Sequence, residues 1–443
     1  MKHNNKTIAT LTLLLTLLSA APEASAQEYI KEIVGTDCSY SIVREYKANI
    51  RIVYNYGSTS TLGGEFLMVT ETGVTTPVLA LRDDISVSDF EIFNDTVYFC
   101  GIGYLGYTRG IVGHFPLSSF PPSLVDIIFT TDYEQFIRLE VFRSKYGGQL
   151  HLALTGKLRG GGNCLVDVPN PTLGTPLIFY HTLLYNYDYN EINDVAVTDN
   201  YIVATLRNPR GNHEGRLYYF GHPSPGTPFF YGLVNTVEVD RDITSFMHLE
   251  ACHDDFFVVS YRTTYGNDAW IHVKGYSGTT NNPGDAAIHT QYVNHYPVDV
   301  KYSNHGEELD VLSNEFTGTD TNSVIYHIPY GGHITSRRFD SQRICSIDYL
   351  QTDPLHFIAS GRGQDGLLWV YKYSPMNEKP MCSIMEEPEY ALLDPCSELK
   401  EAQINFYAIG QMLSIALRST DERGVKIRCY YDMKTGDTIN LNQ

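Results

Sequence analysis

Cationic side chains recur along this sequence at an almost regular interval, each just after a short apolar run. They are Lys157, Arg207, Arg262, Arg362 and Arg418, separated by 50 to 56 residues or, once, by 100. Guanidinium groups bind carboxylates and phosphates through charge-assisted, often paired hydrogen bonds. If Arg207, Arg262, Arg362 and Arg418 meet at one rim, they favour an anionic ligand such as a uronic-acid polymer or a phosphorylated surface sugar.

Acidic side chains recur with the same period, and two interpretations of them are open. In the first, each acid pairs with a cation across its own β-hairpin, because the start of one antiparallel strand faces the end of the next. The pairs that this predicts are Asp194 with Arg207, Asp348 with Arg362, and Glu140 with Lys157. The cations would then be structural, and exposed pairs of this kind contribute only about 0.2–1 kcal/mol each.

The second interpretation gives the acids a metal ion. Ca²⁺ prefers clustered carboxylate oxygens. The candidate ligands are Asp89, Asp194, Asp299 and Asp348. No compact Asp-x-Asp-x-Asp-Gly loop occurs in the sequence. We therefore expect no cofactor and no metal site, with Ca²⁺ at these four residues as the alternative.

The elements that must position these side chains are β-strands. Runs rich in Val, Ile, Tyr, Phe and Thr alternate with clusters of Gly, Asn, Asp and Pro along the chain, and helix signals are nearly absent. One polar position recurs every 48 to 55 residues, at 41, 89, 140, 194, 245, 299, 348 and 403. A unit of that size with three or four strands is typical of a β-propeller blade.

The number of units sets the predicted architecture. The eight recurring polar positions, which mark the repeated units, predict an all-β, single-domain β-propeller of eight four-stranded antiparallel blades over residues 27–443. Seven blades is the alternative, because units one and three align loosely with the others. A blade cannot bury both faces of its sheet alone, so blades stack until the ring closes. We expect residues 29–34 to complete the last blade beside residues 425–430.

Asp194-Val195-Ala196-Val197 is the clearest copy of the repeated strand motif. Together with its weaker copies, this motif resembles the blades of NHL-like and lactonase-like propellers, and of secreted bacterial propellers of uncharacterised function. The resemblance covers residues 38–437 and implies the propeller architecture. These groups range from binding platforms to lactonases, so the resemblance implies no single activity.

Motifs for nucleophilic and phosphate chemistry are missing. The chain has no Gly-x-Ser-x-Gly elbow and no sialidase-type Asp box, and its Gly160-Gly161-Gly162 run lacks the ending of a phosphate loop. We therefore predict a non-catalytic binding or scaffold module of the cell envelope that takes an anionic glycan or a protein partner. A carbohydrate-active or lactonase-like enzyme is the alternative, because its paired carboxylates could not be recognised before the fold is known.

The N-terminus and the net charge predict where the protein works. Residues 1–26 combine Lys2 and Lys6, an apolar stretch and Ala24-Ser25-Ala26, which is the pattern of a secretory signal peptide cleaved near Ala26. We expect an exported monomer, periplasmic, surface-bound or extracellular, without a stable membrane span. The 443-residue chain carries a formal net charge of −19, which argues against nucleic acid as a partner.

The eight cysteines are spread along the chain at about one per unit until the C-terminal third. This spacing predicts buried thiols that pack as small apolar side chains, not a dense disulfide scaffold. Cys382 and Cys396 flank one loop and are the disulfide candidate, since an exported chain permits such a bond.

Overall fold

The structure, a computed structural model, describes most of residues 29–373 and four strands beyond them. The described ranges are 29–47, 50–57, 64–70, 74–118, 120–122, 125–172, 177–182, 191–208, 213–251, 255–265, 268–278, 284–290, 294–303, 308–317, 320–329, 334–350, 357–363 and 365–373, together with the backbone of 402–409, 412–419, 426–432 and 438–440. Residues 1–28 lie outside them, so the signal peptide stays a prediction. No helix in these ranges is long and apolar enough to cross a membrane.

The described chain is built almost entirely from antiparallel four-stranded sheets, and its seven blades lie within residues 29–373. The first strand is β1 (Tyr29–Asp37). Blade 1 consists of β2 (Tyr40–Lys47), β3 (Ile50–Tyr56), β4 (Glu65–Thr70) and β5 (Thr75–Ala80). Blade 2 consists of β6 (Ile85–Phe93), β7 (Thr96–Tyr104), β8 (Thr108–Pro116) and β9 (Asp126–Phe129). Blade 3 consists of β10 (Tyr133–Arg143), β11 (Leu150–Leu158), β12 (Asn163–Pro169) and β13 (Tyr180–Thr182).

The next three blades repeat this order of strands. Blade 4 consists of β14 (Glu191–Val197), β15 (Tyr201–Arg207), β16 (Gly215–Gly221) and β17 (Leu233–Asp240), with a short 3-10 helix at Phe229–Gly232 before its last strand. Blade 5 consists of β18 (His248–Ala251), β19 (Phe256–Tyr265), β20 (Asp268–Ser277) and β21 (Gly284–Thr290). Blade 6 consists of β22 (His295–Ser303), β23 (Glu308–Thr317), β24 (Asp320–Pro329) and β25 (Thr335–Phe339).

Blade 7 is completed by a strand from the other end of the propeller. It consists of β26 (Arg343–Tyr349), β27 (Phe357–Arg362) and β28 (Leu367–Tyr373), and β1 pairs antiparallel with β28. The all-β propeller with four-stranded antiparallel blades is confirmed. The preferred number of eight blades is wrong, and the alternative of seven is confirmed. The N-terminal strand does complete a blade, but its partner is β28 and not residues 425–430.

The eighth unit of the repeat forms a four-stranded sheet of its own. It consists of β29 (Ala402–Ile409), β30 (Met412–Ser419), β31 (Lys426–Asp432) and β32 (Thr438–Asn440), paired in chain order. This sheet has all four of its strands without a contribution from the N-terminus. The eighth sequence unit therefore forms a complete four-stranded sheet, although the ring has seven blades. The single domain over residues 27–443 stays a prediction.

Aromatic and aliphatic side chains fill the space between neighbouring blades. Between blades 1 and 2, the ring of Phe66 lies 5.4 Å from that of Phe90, 5.6 Å from Phe99 and 5.1 Å from Phe115. All four side chains are fully buried. The many Phe and Tyr residues of the sequence are therefore the material that stacks one sheet face on the next.

The first strand of each blade contacts the first strand of the next, and β26 contacts β2, so these seven strands form the inner wall of the ring. In six of them the pairing with the second strand shifts register, and in β2 the shift lies near the end of the strand, between Glu45 and Lys47. In the other five it lies between Val87 and Asp89, Phe136 and Arg138, Ile192 and Val195, Pro297 and Asp299, and Ile344 and Ser346. Bulges of this kind redirect side chains, and here they do so at a similar level in five blades.

Candidate ligand-binding site

A cavity of about 780 Å³ lies at the centre of the ring and is lined by side chains from all seven blades. Its wall comes from the beginnings of the first strands, such as Tyr40 and Ser86, and from the ends of the second strands, such as Tyr56 and Asn314. In an antiparallel blade these two ends meet at the same side of the ring. The volume is within the range of small-molecule sites, about 300–1,000 Å³.

Three aromatic side chains form one side of the cavity, and we call Phe246, Tyr296 and Phe316 the aromatic shelf. Phe246 is 56% exposed and Phe316 is 40% exposed, which is unusual for large apolar side chains. The rings of Tyr296 and Phe316 lie 6.1 Å apart. Exposed aromatic rings beside polar groups offer flat faces to an amphipathic ligand such as a sugar ring.

The charges that line this cavity are mainly positive. Among the described residues, Arg138, Arg207 and Arg343 contribute to the wall, and Asp299 is the one carboxylate. This excess of cations is local, because the whole chain has a net charge of −19. The low-dielectric wall of a cleft strengthens such a local field.

Arg207 lies in the cavity but carries a partner for its charge. One guanidinium nitrogen donates to the carbonyl oxygen of Ser245 at 2.7 Å, and another lies 2.8 Å from a carboxylate oxygen of Glu191. The guanidinium carbon is 5.8 Å from the centre of the Phe246 ring. Arg207 therefore supports the aromatic shelf and is partly neutralised.

Arg262 lies behind the shelf. It is 3% exposed, and its guanidinium carbon is 4.5 Å from the centre of the Tyr296 ring. One nitrogen donates to the Thr244 hydroxyl at 3.0 Å. Burial lowers the pKa of Arg262. This arginine positions the shelf through a cation–π contact.

The other two predicted arginines are placed differently. Arg362 is exposed at the end of β27, directly opposite Arg343 of β26. Arg418 lies on β30, where the structure describes the backbone and not the side chain. The structure thus places Arg207 in the cavity wall, Arg262 behind it and Arg362 at an exposed position on blade 7.

Arg138, Asn193 and His248 are among the polar residues of the cavity that the sequence analysis did not place in a binding site. Arg138 places Nη2 3.4 Å from Nδ1 of His248, and its Nε is 3.9 Å from Oδ1 of Asp194. Burial, assisted by Arg138, lowers the pKa of His248 to about 4, so this imidazole is neutral at physiological pH. In the sequence, Arg138 could have been noticed as a cation two residues before Glu140, which is one of the eight recurring polar positions.

The recurring aspartates bind backbone amides of two neighbouring blades. Asp194 accepts the N–H of Val195 at 3.0 Å and, with its other oxygen, the N–H of Leu249 in blade 5 at 3.0 Å. The other three do the same at 2.9–3.4 Å, namely Asp89 with Phe90 and Leu139, Asp299 with Val300 and Ile347, and Asp348 with Tyr349 and Glu45. These carboxylates therefore join blade 2 to 3, 4 to 5, 6 to 7 and 7 to 1.

The predicted hairpin pairs are wrong in their partners. Arg207 pairs with Glu191, and Lys157 lies 2.6 Å from Glu134 in its own hairpin. Asp348 faces Ile358, and Glu140 faces Ala153. Arg207 and Lys157 therefore pair within their own hairpins, but with carboxylates near the start of the first strand, because the register places the cations opposite residues three to five positions before the acids named in the prediction.

Further along the inner wall, charged side chains form a second group that we call the charged belt: Arg44, Asp89, Glu91, Glu140, Glu250, Lys301 and Asp348. Arg44 bridges Asp89 at 2.9 Å and Glu91 at 3.0 Å. Lys301 bridges Glu250 at 2.8 Å. Burial raises the pKa of Glu250 to about 7, and burial together with Glu91 and Glu250 raises that of Glu140 well above its usual value.

The described cysteines and acids bear on two further expectations. Cys38, Cys100, Cys164 and Cys345 are buried free thiols, and Cys382 and Cys396 lie outside the described residues. Within the described part of the chain, no group of three or more His, Cys, Asp or Glu residues is arranged to hold a metal ion. The disulfide stays a prediction, as does Ca²⁺.

Comparisons with known proteins support the fold and no closer relationship. No protein-family model and no curated protein sequence matches this chain. A lectin from Burkholderia pseudomallei matches with a TM-score of 0.51 at 8% identity, over 76% of this chain and 96% of the lectin. At this identity, the likeness shows a shared propeller fold.

Two weaker structural matches belong to enzymes. Prolyl oligopeptidase B from Galerina marginata matches with a TM-score of 0.47 at 9% identity, over 90% of this chain and 56% of its own. An ulvan lyase, a polysaccharide lyase, matches with a TM-score of 0.48 at 10% identity, over 79% of this chain and 96% of its own. This chain spans little more than half the length of the prolyl oligopeptidase chain.

Proposed function

We propose that this protein is a non-catalytic binding propeller that takes an anionic glycan in its central cavity. The observation that carries the proposal is the combination of an exposed aromatic shelf with three arginines against one carboxylate in a wall made by all seven blades. Aromatic faces suit sugar rings, and guanidinium groups suit acidic substituents. A protein partner with an acidic segment is the other ligand that this chemistry accepts.

A glycan and polysaccharide array on the chain from residue 27 onward tests this proposal. We expect acidic glycans to bind and neutral glycans of the same backbone to bind more weakly. Phe246→Ala and Phe316→Ala should each weaken binding about tenfold or more, because each removes a stacking face of the shelf. Tyr231→Ala is the matched control, since Tyr231 is 76% exposed in the short helix of blade 4, away from the cavity.

Product analysis on every glycan that binds separates binding from catalysis. A glycoside hydrolase needs two carboxyl groups about 5–9.5 Å apart. Among the described residues the cavity wall offers Asp299, whose two oxygens already accept backbone amides. Unchanged ligand after long incubation supports the binding role, and chain cleavage would favour the carbohydrate-active or lactonase-like alternative.

We also propose that the protein acts outside the cytoplasm as a monomer, after cleavage near Ala26. The basic start, apolar stretch and small residues of 1–26 support this proposal. Sequencing the N-terminus of the protein recovered from the producing cell tests the cleavage, and sedimentation tests the oligomeric state. An intact N-terminus on the recovered protein would contradict export by this route.

A further inference from the structure

Arg138 reaches the cavity without a short hydrogen bond to a carboxylate among the described residues. Its closest partners among the described residues are Nδ1 of His248 at 3.4 Å and Oδ1 of Asp194 at 3.9 Å. The two oxygens of Asp194 are already occupied by the amides of Val195 and Leu249. A charge-assisted hydrogen bond is normally about 2.7–2.9 Å long, so the guanidinium group retains donors for another acceptor.

Asn193 adds an unused donor beside this arginine. Its side chain lines the same cavity and is 8% exposed, and its Nδ2 has no hydrogen-bond partner. The residue sits in the β14 bulge next to Asp194, and β14 contacts the strand of Arg138. A buried amide without an acceptor is costly to fold, which points to an acceptor that binds there.

We propose that Arg138 and Asn193 together anchor a monoanionic group of the ligand, a uronate carboxylate or a sulfate ester, while a sugar ring rests on the aromatic shelf. This inference rests on the proposed function and adds to it the place of the acidic group. One oxygen of the group accepts from the guanidinium, and another accepts from the amide of Asn193.

The charges around the anchor select a single negative charge. Arg138 supplies one positive charge, and the neighbouring His248 adds none because burial keeps its pKa near 4. Asp194 on blade 4, Asp89 on blade 2 and Asp299 on blade 6 all interact electrostatically with Arg138, and their carboxylates disfavour a second negative charge. A phosphate monoester carries about −1.5 to −2 at pH 7 and is therefore a poorer fit than a uronate or a sulfate ester.

Isothermal titration at pH 7.5 with four probes tests the anchor on the chain from residue 27 onward. The probes are trigalacturonate, its methyl ester, a sulfated trisaccharide and a phosphorylated trisaccharide. We expect the carboxylate or the sulfate probe to bind roughly 10–100-fold more tightly than the ester, as one hydrogen bond to a charged group requires. The phosphate probe should bind more weakly than the tighter of the carboxylate and sulfate probes. Which of these two binds more tightly identifies the acidic group that the anchor prefers.

Substitutions locate the effect. Arg138→Gln and Asn193→Asp should each remove the preference for the monoanion over the methyl ester. Arg241→Gln is the charge-matched control, because Arg241 is 68% exposed and pairs with Glu238 at 3.0 Å on the outer strand of blade 4. Thermal melts check that each variant folds. If Arg138→Gln does not fold, Arg138→Lys takes its place. Lysine keeps the positive charge but lacks the paired donors of the guanidinium group, so this variant should retain part of the preference for the monoanion.

The outcomes separate this inference from the proposed function. Equal binding of acid and ester by the wild type, with both lost in Phe316→Ala, would overturn the anchor and leave the cavity as the binding site. An acid preference that survives in both Arg138→Gln and Asn193→Asp would also overturn the anchor. If the wild type binds none of the probes, the proposed function and the anchor are both overturned.

Discussion

Arg44 and Arg138 occupy similar positions on the inner strands of blades 1 and 3, and the structure uses them in opposite ways. Arg44 is 8% exposed and holds Asp89 at 2.9 Å and Glu91 at 3.0 Å in the charged belt. Arg138 approaches its acid no closer than 3.9 Å and faces the cavity. Arg44 is therefore engaged in structural ion pairs, whereas Arg138 remains available to a ligand.

The same contrast separates the two halves of the inner wall. In the charged belt, carboxylates outnumber cations, and the cations are tied to them by short ion pairs. In the cavity, arginines outnumber carboxylates, and aromatic rings are exposed. The paired cations of the belt hold the inner strands in one arrangement, whereas cations without a short ion pair in a cleft are typical of binding sites.

Arg44→Gln should give the largest effect on stability. It leaves Asp89 and Glu91 without their cation in a buried setting, which we expect to lower the free energy of unfolding by about 3 kcal/mol. Arg138→Gln should lower it less, because its nearest carboxylate is 3.9 Å away and no short ion pair is lost. Urea unfolding of both variants measures the difference, and equal losses would remove the distinction between the two arginines.

Substituting the aspartates that join neighbouring blades should lower the free energy of unfolding by less than Arg44→Gln does. The aspartate with the shorter hydrogen bonds should give the larger loss. Asp348→Asn turns an acceptor of the Tyr349 or Glu45 amide into a donor, at a cost of about 2 kcal/mol. Asp299→Asn should cost less, since its bond to the Ile347 amide is 3.4 Å long. Urea midpoints test the order, and a larger loss for Asp299→Asn would contradict it.

The pH dependence of stability should show the belt and the cavity acting in opposite senses. Glu250, with its pKa raised from 4.5 to about 7, binds a proton more tightly when folded, so its contribution to stability falls as the pH rises from about 4.5 through 7, and about 1 kcal/mol of that loss lies between pH 6.5 and 8. His248, with its pKa lowered from 6.5 to about 4, has a contribution that falls as the pH drops below 6.5. The two slopes therefore oppose each other between about pH 4.5 and 6.5, and above pH 6.5 the loss from Glu250 remains.

Two variants assign these slopes. Glu250→Gln should flatten the loss of stability above pH 6.5, although Glu140, whose pKa is also raised, retains part of it. His248→Gln should leave the Glu250 contribution unopposed below pH 6.5, so that stability becomes higher on the acid side relative to pH 6.5 than in the wild type, and the alkaline side stays as it was. A denaturation midpoint that rises steadily from pH 6 to pH 8 in the wild type would contradict the role of the belt.

Calcium should have the smallest effect. The recurring Asp89, Asp194, Asp299 and Asp348 already accept two backbone amides each. Their oxygens are therefore poorly available to Ca²⁺, and millimolar Ca²⁺ should leave the melting temperature within about 1 °C. A clear rise in Tm would instead favour the calcium interpretation of these residues.

Much of the propeller could be predicted from residue patterns because a blade is a local structure. The marker positions at 41, 89, 140, 194, 299, 348 and 403 all fall on the first strand of a sheet, and 245 lies three residues before β18. Local alternation and turn residues suffice for this, since each hairpin joins neighbouring segments.

The candidate site was predicted less well because its residues come from different blades. Arg207 was found through its period, but Arg138, Asn193 and the aromatic shelf follow no period. The acids were assigned to the wrong partners, since the register of each hairpin places the cation opposite a residue three to five positions before the predicted acid, and a shift of register exchanges every cross-strand neighbour. Nothing in a single blade shows which acid will meet which amide across the ring.

By itself the sequence determined an all-β chain of about 50-residue units, each able to form a four-stranded sheet, because period and turn chemistry act over short distances. Only the tertiary structure decided that seven of these sheets form the propeller, with β1 paired to β28, and that one arginine is buried in ion pairs while another is left for a ligand. Both decisions depend on contacts between residues far apart in the chain. Ring closure and charge pairing are properties of the assembled blades, and no single repeat contains them.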